Sequence, residues 1–248
     1  MESLLKEIDI LKQKLDARRP FPPEAVRNLR DVYRLEWTYH SNAIEGNTLS
    51  MLETKMVLEE GLTIGGKTLR EHFEAINHAE AIDYVEEIIS RQTPLSEKVI
   101  KDVHSLILKN IDDKSAGKYR TINVRISGSQ HQPVHYLRVP EQIKDLLDWY
   151  NKALDKLHPV ELACTLHFRF VYIHPFVDGN GRTARLLMNF VLMQKGFPPA
   201  ILKSDSQKRL VYYETLETAS VQGDLAPFVK LVAEEVKDSM VKYLSILS

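Results

Sequence analysis

His174-Pro175-Phe176-Val177-Asp178-Gly179-Asn180-Gly181-Arg182-Thr183-Ala184-Arg185 lies between two apolar runs of helical period. Pro175 ends the helix before it, the two glycines open backbone geometries closed to other residues, and the next helix is expected to open at about Arg182. The amides of Gly179 to Arg182 would then stand unpaired at a helix N-terminus, where they and the helix dipole favour an anion. Arg182 and Arg185, three positions apart, project from nearly the same helical face and can each clamp a phosphate oxygen. Asp178 is a hard oxygen ligand suited to Mg²⁺ already bridged by phosphates, and His174 carries the side chain whose ordinary pKa suits a general base. Each residue alone has an ordinary reading: a helix-end histidine, an Asp-Gly turn, a solvated basic face. Their concurrence within twelve positions points to a phosphate-handling site.

Working outward, helical patterns dominate. Leu4, Ile8, Leu11 and Leu15 form one apolar stripe on a first helix, a docking or homodimer face. After the prolines at 20, 22 and 23 the period restarts with Val26, Leu29, Tyr33 and Trp37 and ends near Gly46-Asn47. Ser50 with Glu53 and Thr68 with Glu71 are capping boxes opening two further helices. More helices are expected at about 96–109, 140–154, 159–173, 182–194, 207–221 and 226–244. The exception is 121–137, where Val124 and Ile126 alternate with polar residues around a Ser127-Gly128-Ser129 turn, the pattern of a lone hairpin. The simplest partition is an N-terminal helical extension, 1–60, packed as one unit with a core, 61–248.

Thirty-three Lys and Arg against thirty-four Asp and Glu give a formal charge of -1, so no chain-wide positive field exists to hold nucleic acid or an anionic membrane. The single Cys164 excludes an intramolecular disulfide framework. The first twenty residues are charged throughout, unlike a signal peptide or a membrane span. A cytoplasmic setting is the default expectation. His131 and His135 have a spacing compatible with metal only if a third ligand joins them.

The segment 174–185 matches at every specified position the signature H-x-F-x-[DE]-G-N-G-R-x-x-R, so the chain resembles the Fic (Fic/Doc) family from about Ser41 to the C-terminal helix. Gly117-Lys118-Tyr119-Arg120 before the hairpin, and Tyr212-Tyr213, Gly223-Asp224 and Pro227-Phe228 near the end, resemble the family's flanks. The resemblance implies an all-α Fic fold with a short β-hairpin flap over the site, and transfer of AMP from ATP to a Ser, Thr or Tyr hydroxyl of a target protein, this chain itself among the candidates. His174 would deprotonate that hydroxyl and Asp178 would hold Mg²⁺ or Mn²⁺. Gly179, Asn180 and Gly181 would line the anion hole and Arg182 would grip the outer phosphates. Gly181 stands where the phosphotransferase branch usually has a lysine, which favours AMP transfer.

Ser41-Asn42-Ala43-Ile44-Glu45-Gly46-Asn47 reads by itself as a helix end with Gly46 past the last turn. Beside the first motif it resembles the family's inhibitory signature, [ST]-x-x-x-E-[GN], in which Glu45 would pair with Arg185; Ser41, four positions earlier and on the same helical face, can steady the carboxylate. The same resemblance places Tyr212, Tyr213 and Ser220 near the adenine, with Ser220 where relatives often carry an asparagine. Ile126, Ser127 and Gly128 would close over the nucleotide. Two alternatives share these residues: hydrolytic removal of AMP from a modified protein, and a nucleotide-sensing module without catalysis.

Overall fold

The computed structural model describes residues 1–247, and these form ten α-helices and one short 3-10 turn, with no strand. The helices are α1 Glu2–Asp16, α2 Pro23–Ile44, α3 Met51–Glu60, α4 Leu69–Ser90, α5 Glu97–Leu108, α6 Val139–Ala153, α7 Pro159–Ile173, α8 Asn180–Gln194, α9 Ser206–Gln222 and α10 Ala226–Ile246. Their bounds follow the apolar periods closely. At the centre stands α8: Leu186, Leu187, Met188, Phe190, Val191 and Leu192 are all fully buried, so the helix is enclosed on every side. α7 runs along it, with α4 and α5 on its flanks.

The stripe of α1 is spent inside the chain. Ile8 and Leu15 are buried in the main apolar cluster and α1 packs on α10, where Lys237 pairs with Glu7 at 2.5 Å. Both capping boxes form: Ser50 and Glu53 exchange bonds of 2.7 and 3.2 Å, and Thr68 and Glu71 bonds of 2.8 and 3.2 Å. Glu71 also accepts from the Thr48 amide at 2.9 Å and the Thr48 hydroxyl at 2.6 Å, which ties the chain just after α2 to the start of α4. Hydrogen bonds from the Thr48 hydroxyl first, then the Thr68 and Thr48 amides, pull the Glu71 carboxyl down to about 2.

Two expectations change. α8 opens at Asn180, one half-turn earlier than Arg182, because Gly179 takes a left-handed conformation (φ 75°) at the N-cap. The segment 121–137 is a loop with a turn at Gly128, with no strand ladder among the described residues. Arg120 explains the difference. Its guanidinium lies between the two arms and donates to Ile122 O at 2.9 Å on one and to Val134 O on the other, so these carbonyls face a side chain instead of each other's amides. Pro133 also removes a donor from the second arm.

Candidate active site

The turn joining α7 to α8 is built by internal clasps. Asn180 accepts from the Phe176 amide at 3.0 Å and donates to the Phe176 carbonyl at 2.9 Å, closing the loop on itself. Phe176 is fully buried and stacks on His104 of α5 at 3.5 Å between ring centroids. His104 Nδ1 accepts from the Gly117 amide at 2.9 Å, so its Nε2–H donates to the Asp178 carbonyl, also at 2.9 Å. Burial lowers His104 to about 4 and keeps it neutral. Gly179 is pressed against this support: a Cβ there would lie 3.2 Å from Ile107 Cγ2. The side chain of Asn180 is therefore a loop clasp, and what it offers an anion is its amide.

His174 sits at the end of α7 in a left-handed conformation (φ 51°, ψ 62°), unusual for a residue with a side chain. Arg120 clamps this strained corner by donating through Nε to the His174 carbonyl at 2.8 Å and through its amide to the Pro175 carbonyl at 3.0 Å. The Nδ1 atom of His174 faces the Val171 carbonyl at 3.4 Å, an acceptor, so the proton belongs on Nδ1 and the Nε2 lone pair is free. Burial pulls the imidazole down to about 4, leaving it unprotonated at neutral pH.

Across the turn, the Asp178 carboxylate accepts from the Gly179 amide at 2.6 Å through Oδ1 and from Arg70 of α4 at 2.5 Å through Oδ2. Burial alone would raise this carboxyl, but Arg182, the Gly179 amide and Arg70 together hold it below its ordinary value. The next amides, those of Asn180, Gly181 and Arg182, meet no acceptor among the described residues, and no side chain caps α8. They form the positive end of a fully buried helix.

Arg182 and Arg185 are each 2% exposed. The Nη1 of Arg182 is 3.3 Å from Glu74 and its Nη2 is 3.5 Å from Asp178, while its Nε and Nη1 make no hydrogen bond. Arg185 is saturated by comparison. Its Nε donates to Ser41 Oγ at 2.9 Å, its Nη2 to Ser41 O at 2.8 Å and to Glu45 Oε1 at 2.7 Å, and its Nη1 to Tyr212 OH at 3.2 Å. Burial works against its charge, but Glu45 outweighs it and raises the guanidinium's pKa. The Glu45 carboxylate also covers the mouth of α8: a Cβ added to Gly181 would lie 2.3 Å from Glu45 Oε1.

The two motifs thus meet, with one change of detail. Ser41 holds Arg185 and not the Glu45 carboxylate, because its buried hydroxyl faces α8 while Glu45 lies past the last turn of α2. The Glu45 to Arg185 contact uses one carboxylate oxygen. Tyr212 is buried behind Arg185, with its hydroxyl 3.2 Å from His167 Nε2, and Tyr213 donates to Ile44 O at 3.1 Å, holding the end of α2. The Ser220 hydroxyl turns back onto its own helix at Leu216 O, 2.8 Å away. Ile126 is half-buried, whereas Ser127 and Gly128 are exposed on a loop that Glu217 of α9 pins through Ser129 at 2.5 Å and the Gln130 amide at 2.8 Å. His131 stacks on Tyr172 and His135 caps the short turn at Tyr136–Arg138.

Glu74 escaped the sequence reading. It is a buried carboxylate that gathers Asn47 at 3.0 Å, Arg70 at 3.1 Å and Arg182. Its signal was present: Glu74, Asn77 and His78 occupy the same helical stripe as Ala81, Ile82 and Val85, and polar residues on a buried stripe require partners.

The Fic/DOC family profile matches residues 94–192. Protein adenylyltransferase fic-1 of Caenorhabditis elegans is 41% identical over 221 residues, covering 88% of this chain and 42% of that protein. Protein adenylyltransferase Fic of Nematostella vectensis is 37% identical over 246 residues, covering 98% of this chain and 56% of that protein. The chain therefore spans about half the length of the curated relatives it matches. Among solved structures, Fic-1 from C. elegans superposes with a TM-score of 0.88 at 37% identity, over 98% of this chain and 72% of that one. A Fic domain containing signaling protein from Bacteroides thetaiotaomicron gives 0.88 at 31% identity, over 97% and 96%. With its signature at 174–185, its helical architecture and these relatives in accord, the chain belongs to the Fic/DOC family.

Proposed function

We propose that the chain is a protein adenylyltransferase restrained by its own Glu45. The observation that carries this reading is the free, positive N-terminus of α8, flanked by a neutral His174 on one side and an ionised Asp178 on the other. The amides of Asn180, Gly181 and Arg182 suit the phosphates of ATP. The unpaired nitrogens of Arg182 suit their outer oxygens. His174 Nε2 takes the proton of a target hydroxyl, whose oxygen bonds to the α-phosphorus as the bond from that phosphorus to the bridging oxygen breaks and pyrophosphate departs. The loop 121–137, with Ile126, Ser127 and Gly128 at its turn, serves as the flap, and Tyr213 is the aromatic left partly exposed beside it for the base.

Asp178 fits a divalent cation of the Mg²⁺ or Mn²⁺ kind. The described residues contain no cluster of three or more metal-ligating side chains, so such an ion would take its remaining ligands from phosphates and water, as Mg²⁺ commonly does. It would neutralise phosphate charge. No helix among the described residues is long and apolar enough to cross a membrane. A second activity on the same site, hydrolytic removal of AMP, is favoured by one observation: Glu45 Oε2 makes no hydrogen bond to protein, and the side chain is 32% exposed, so that oxygen can face a water.

The test is transfer to proteins of a cell lysate from ATP labelled at the α- or the γ-phosphate, using the wild-type chain and His174→Ala. Label is expected from the α-position only. His174→Ala should lower transfer by about a hundred- to ten-thousandfold with ATP binding retained. Label from the γ-phosphate, or full activity without His174, would overturn the reading. Release of AMP from the labelled products by the wild-type chain would establish the second activity.

A further inference from the structure

We propose that Arg70 is a built-in competitor for the divalent cation, holding the one oxygen of Asp178 that the cation needs and yielding it when metal and nucleotide arrive. The inference rests on the reading of Asp178 just given. It concerns a residue that neither sequence motif contains.

The two oxygens of Asp178 are not equivalent. Oδ1 is committed to the Gly179 amide at 2.6 Å and faces Arg182 Nη2 at 3.5 Å, both on rigid parts of the turn and α8. Oδ2 has a single partner, Arg70 Nη2 at 2.5 Å. A cation approaching from the open side must therefore take Oδ2, where the guanidinium already is. Two cations on one carboxylate oxygen repel, so each weakens the other's hold on it.

The guanidinium is aimed. Arg70 Nε donates to Glu74 Oε1 at 3.1 Å, and because the fork is planar and rigid, fixing Nε on the buried Glu74 points Nη2 at Asp178. The contact is also able to open. The side chains of Arg70 and Asp178 are 55% and 47% exposed, so water can replace either partner, whereas Arg182, at 3%, has no such exit. After displacement Arg70 keeps Glu74 and stays near the phosphates. Arg182 is thus the fixed cation of the site and Arg70 the exchangeable one.

An exchangeable pair this exposed is weak, so the competition should be modest and measurable. Binding of Mn²⁺ in the presence of α,β-methylene-ATP, followed by the loss of the free Mn²⁺ paramagnetic resonance signal, reads the metal without any turnover. Arg70→Gln should lower the Mn²⁺ midpoint about two- to fivefold, and Arg70→Lys, which keeps the charge, should stay near the wild type. Ligand-free melting of each variant verifies the fold. Asp178→Asn serves as the reference and should lose most Mn²⁺ binding. An unchanged midpoint in Arg70→Gln beside a deficient Asp178→Asn would overturn the role of Arg70 alone. A raised midpoint would also overturn it, making Arg70 a phosphate ligand. Wild-type Mn²⁺ binding by Asp178→Asn would overturn the metal seat and, with it, the competition.

Discussion

Arg182 and Arg185 stand one turn apart on α8 and are equally buried, yet their surroundings differ in kind. Arg185 spends every nitrogen: on Ser41, on Glu45 and on Tyr212. Arg182 has carboxylates within 3.3 and 3.5 Å but leaves two nitrogens without a hydrogen bond. A buried donor without a hydrogen bond is costly, so Arg182, which Glu74 and Asp178 approach without bonding, is prepared for a further anion. Arg185 already has its anion. One helix thus presents a waiting cation and an occupied one, and Glu45, just past the end of α2, accounts for much of the difference. The backing differs as well. Behind Arg185 lie neutral groups, Tyr212 and His167, whereas Arg182 is backed by the carboxylates of Glu74 and Asp178.

Acid should break the Arg185 side first, and this is the largest effect expected. Arg185 donates to Tyr212, whose hydroxyl donates in turn to His167 Nε2, so that nitrogen must stay unprotonated. Burial first, then the nearby charge of Arg185, pushes His167 well below 6.5, and His78 behaves alike. The unfolded chain therefore takes up more protons than the folded one below pH 6.5. Stability is complete above that pH and is lost as the pH falls below it; His104 and His174, which burial brings to about 4, add to the loss with the same sign. Each such histidine should cost about 2 kcal/mol at pH 5. Melting temperatures at pH 7.5, 6.5, 5.5 and 5.0 should fall progressively. A flat profile to pH 5 would show these rings to be hydrated and the contrast in backing to be unimportant.

The next effect is on rate. Glu45→Gly should turn Arg185 from an occupied cation into a waiting one and raise transfer about tenfold, the equivalent of one charge-assisted hydrogen bond of about 1.5 kcal/mol. Arg185→Ala also removes the inhibitory contact, yet it should give no gain, because one of the two arginines able to clamp a phosphate oxygen goes with it. Rates of self-modification and target modification in the two variants settle the point. Equal gains would mean that Glu45 acts by blocking space and that the charge of Arg185 is incidental.

The helices were legible because their apolar periods and caps are local: Ser50 with Glu53 and Thr68 with Glu71 bond as their spacing requires. The hairpin was not, because alternation in Val124 and Ile126 reports a half-buried extended chain and cannot reveal that Arg120 would insert its guanidinium between the arms. At the site, the signature at 174–185 marked the turn where α8 opens with amides that meet no acceptor, but spacing alone misassigned partners. Ser41 and Glu45 are a helical turn apart, which suggested a bond between them. The end of α2 intervenes, and both side chains reach Arg185 separately. Arg70 was invisible, and the place of Glu74 on a buried stripe did not name its partners: a carboxylate and a guanidinium on a helix look like a solvated i, i+4 pair until a third element supplies Arg182 and Asp178.

The smallest effect is also the most discriminating. Gly181 has an ordinary helical backbone, so alanine there is conformationally harmless and should favour the helix slightly. Its methyl would nonetheless lie 2.3 Å from Glu45 Oε1, 3.2 Å from the carboxyl carbon and 3.1 Å from Arg185 Nη1. The glutamate is the flexible party, so it must swing away, and its bond to Arg185 lengthens or breaks. Gly181→Ala should therefore release part of the restraint and raise transfer a few-fold, less than the about tenfold of Glu45→Gly because the displaced carboxylate can still pair from a new position. In the Glu45→Gly background the same alanine should change little, since the carboxylate it strikes is gone and only the approach to Arg185 Nη1 at 3.1 Å is left. Comparing transfer in the two single variants and the double variant isolates this coupling. A loss of activity in both backgrounds would mean that the methyl meets the phosphates instead, and that Gly181 is small for the substrate's sake and not for the inhibitor's.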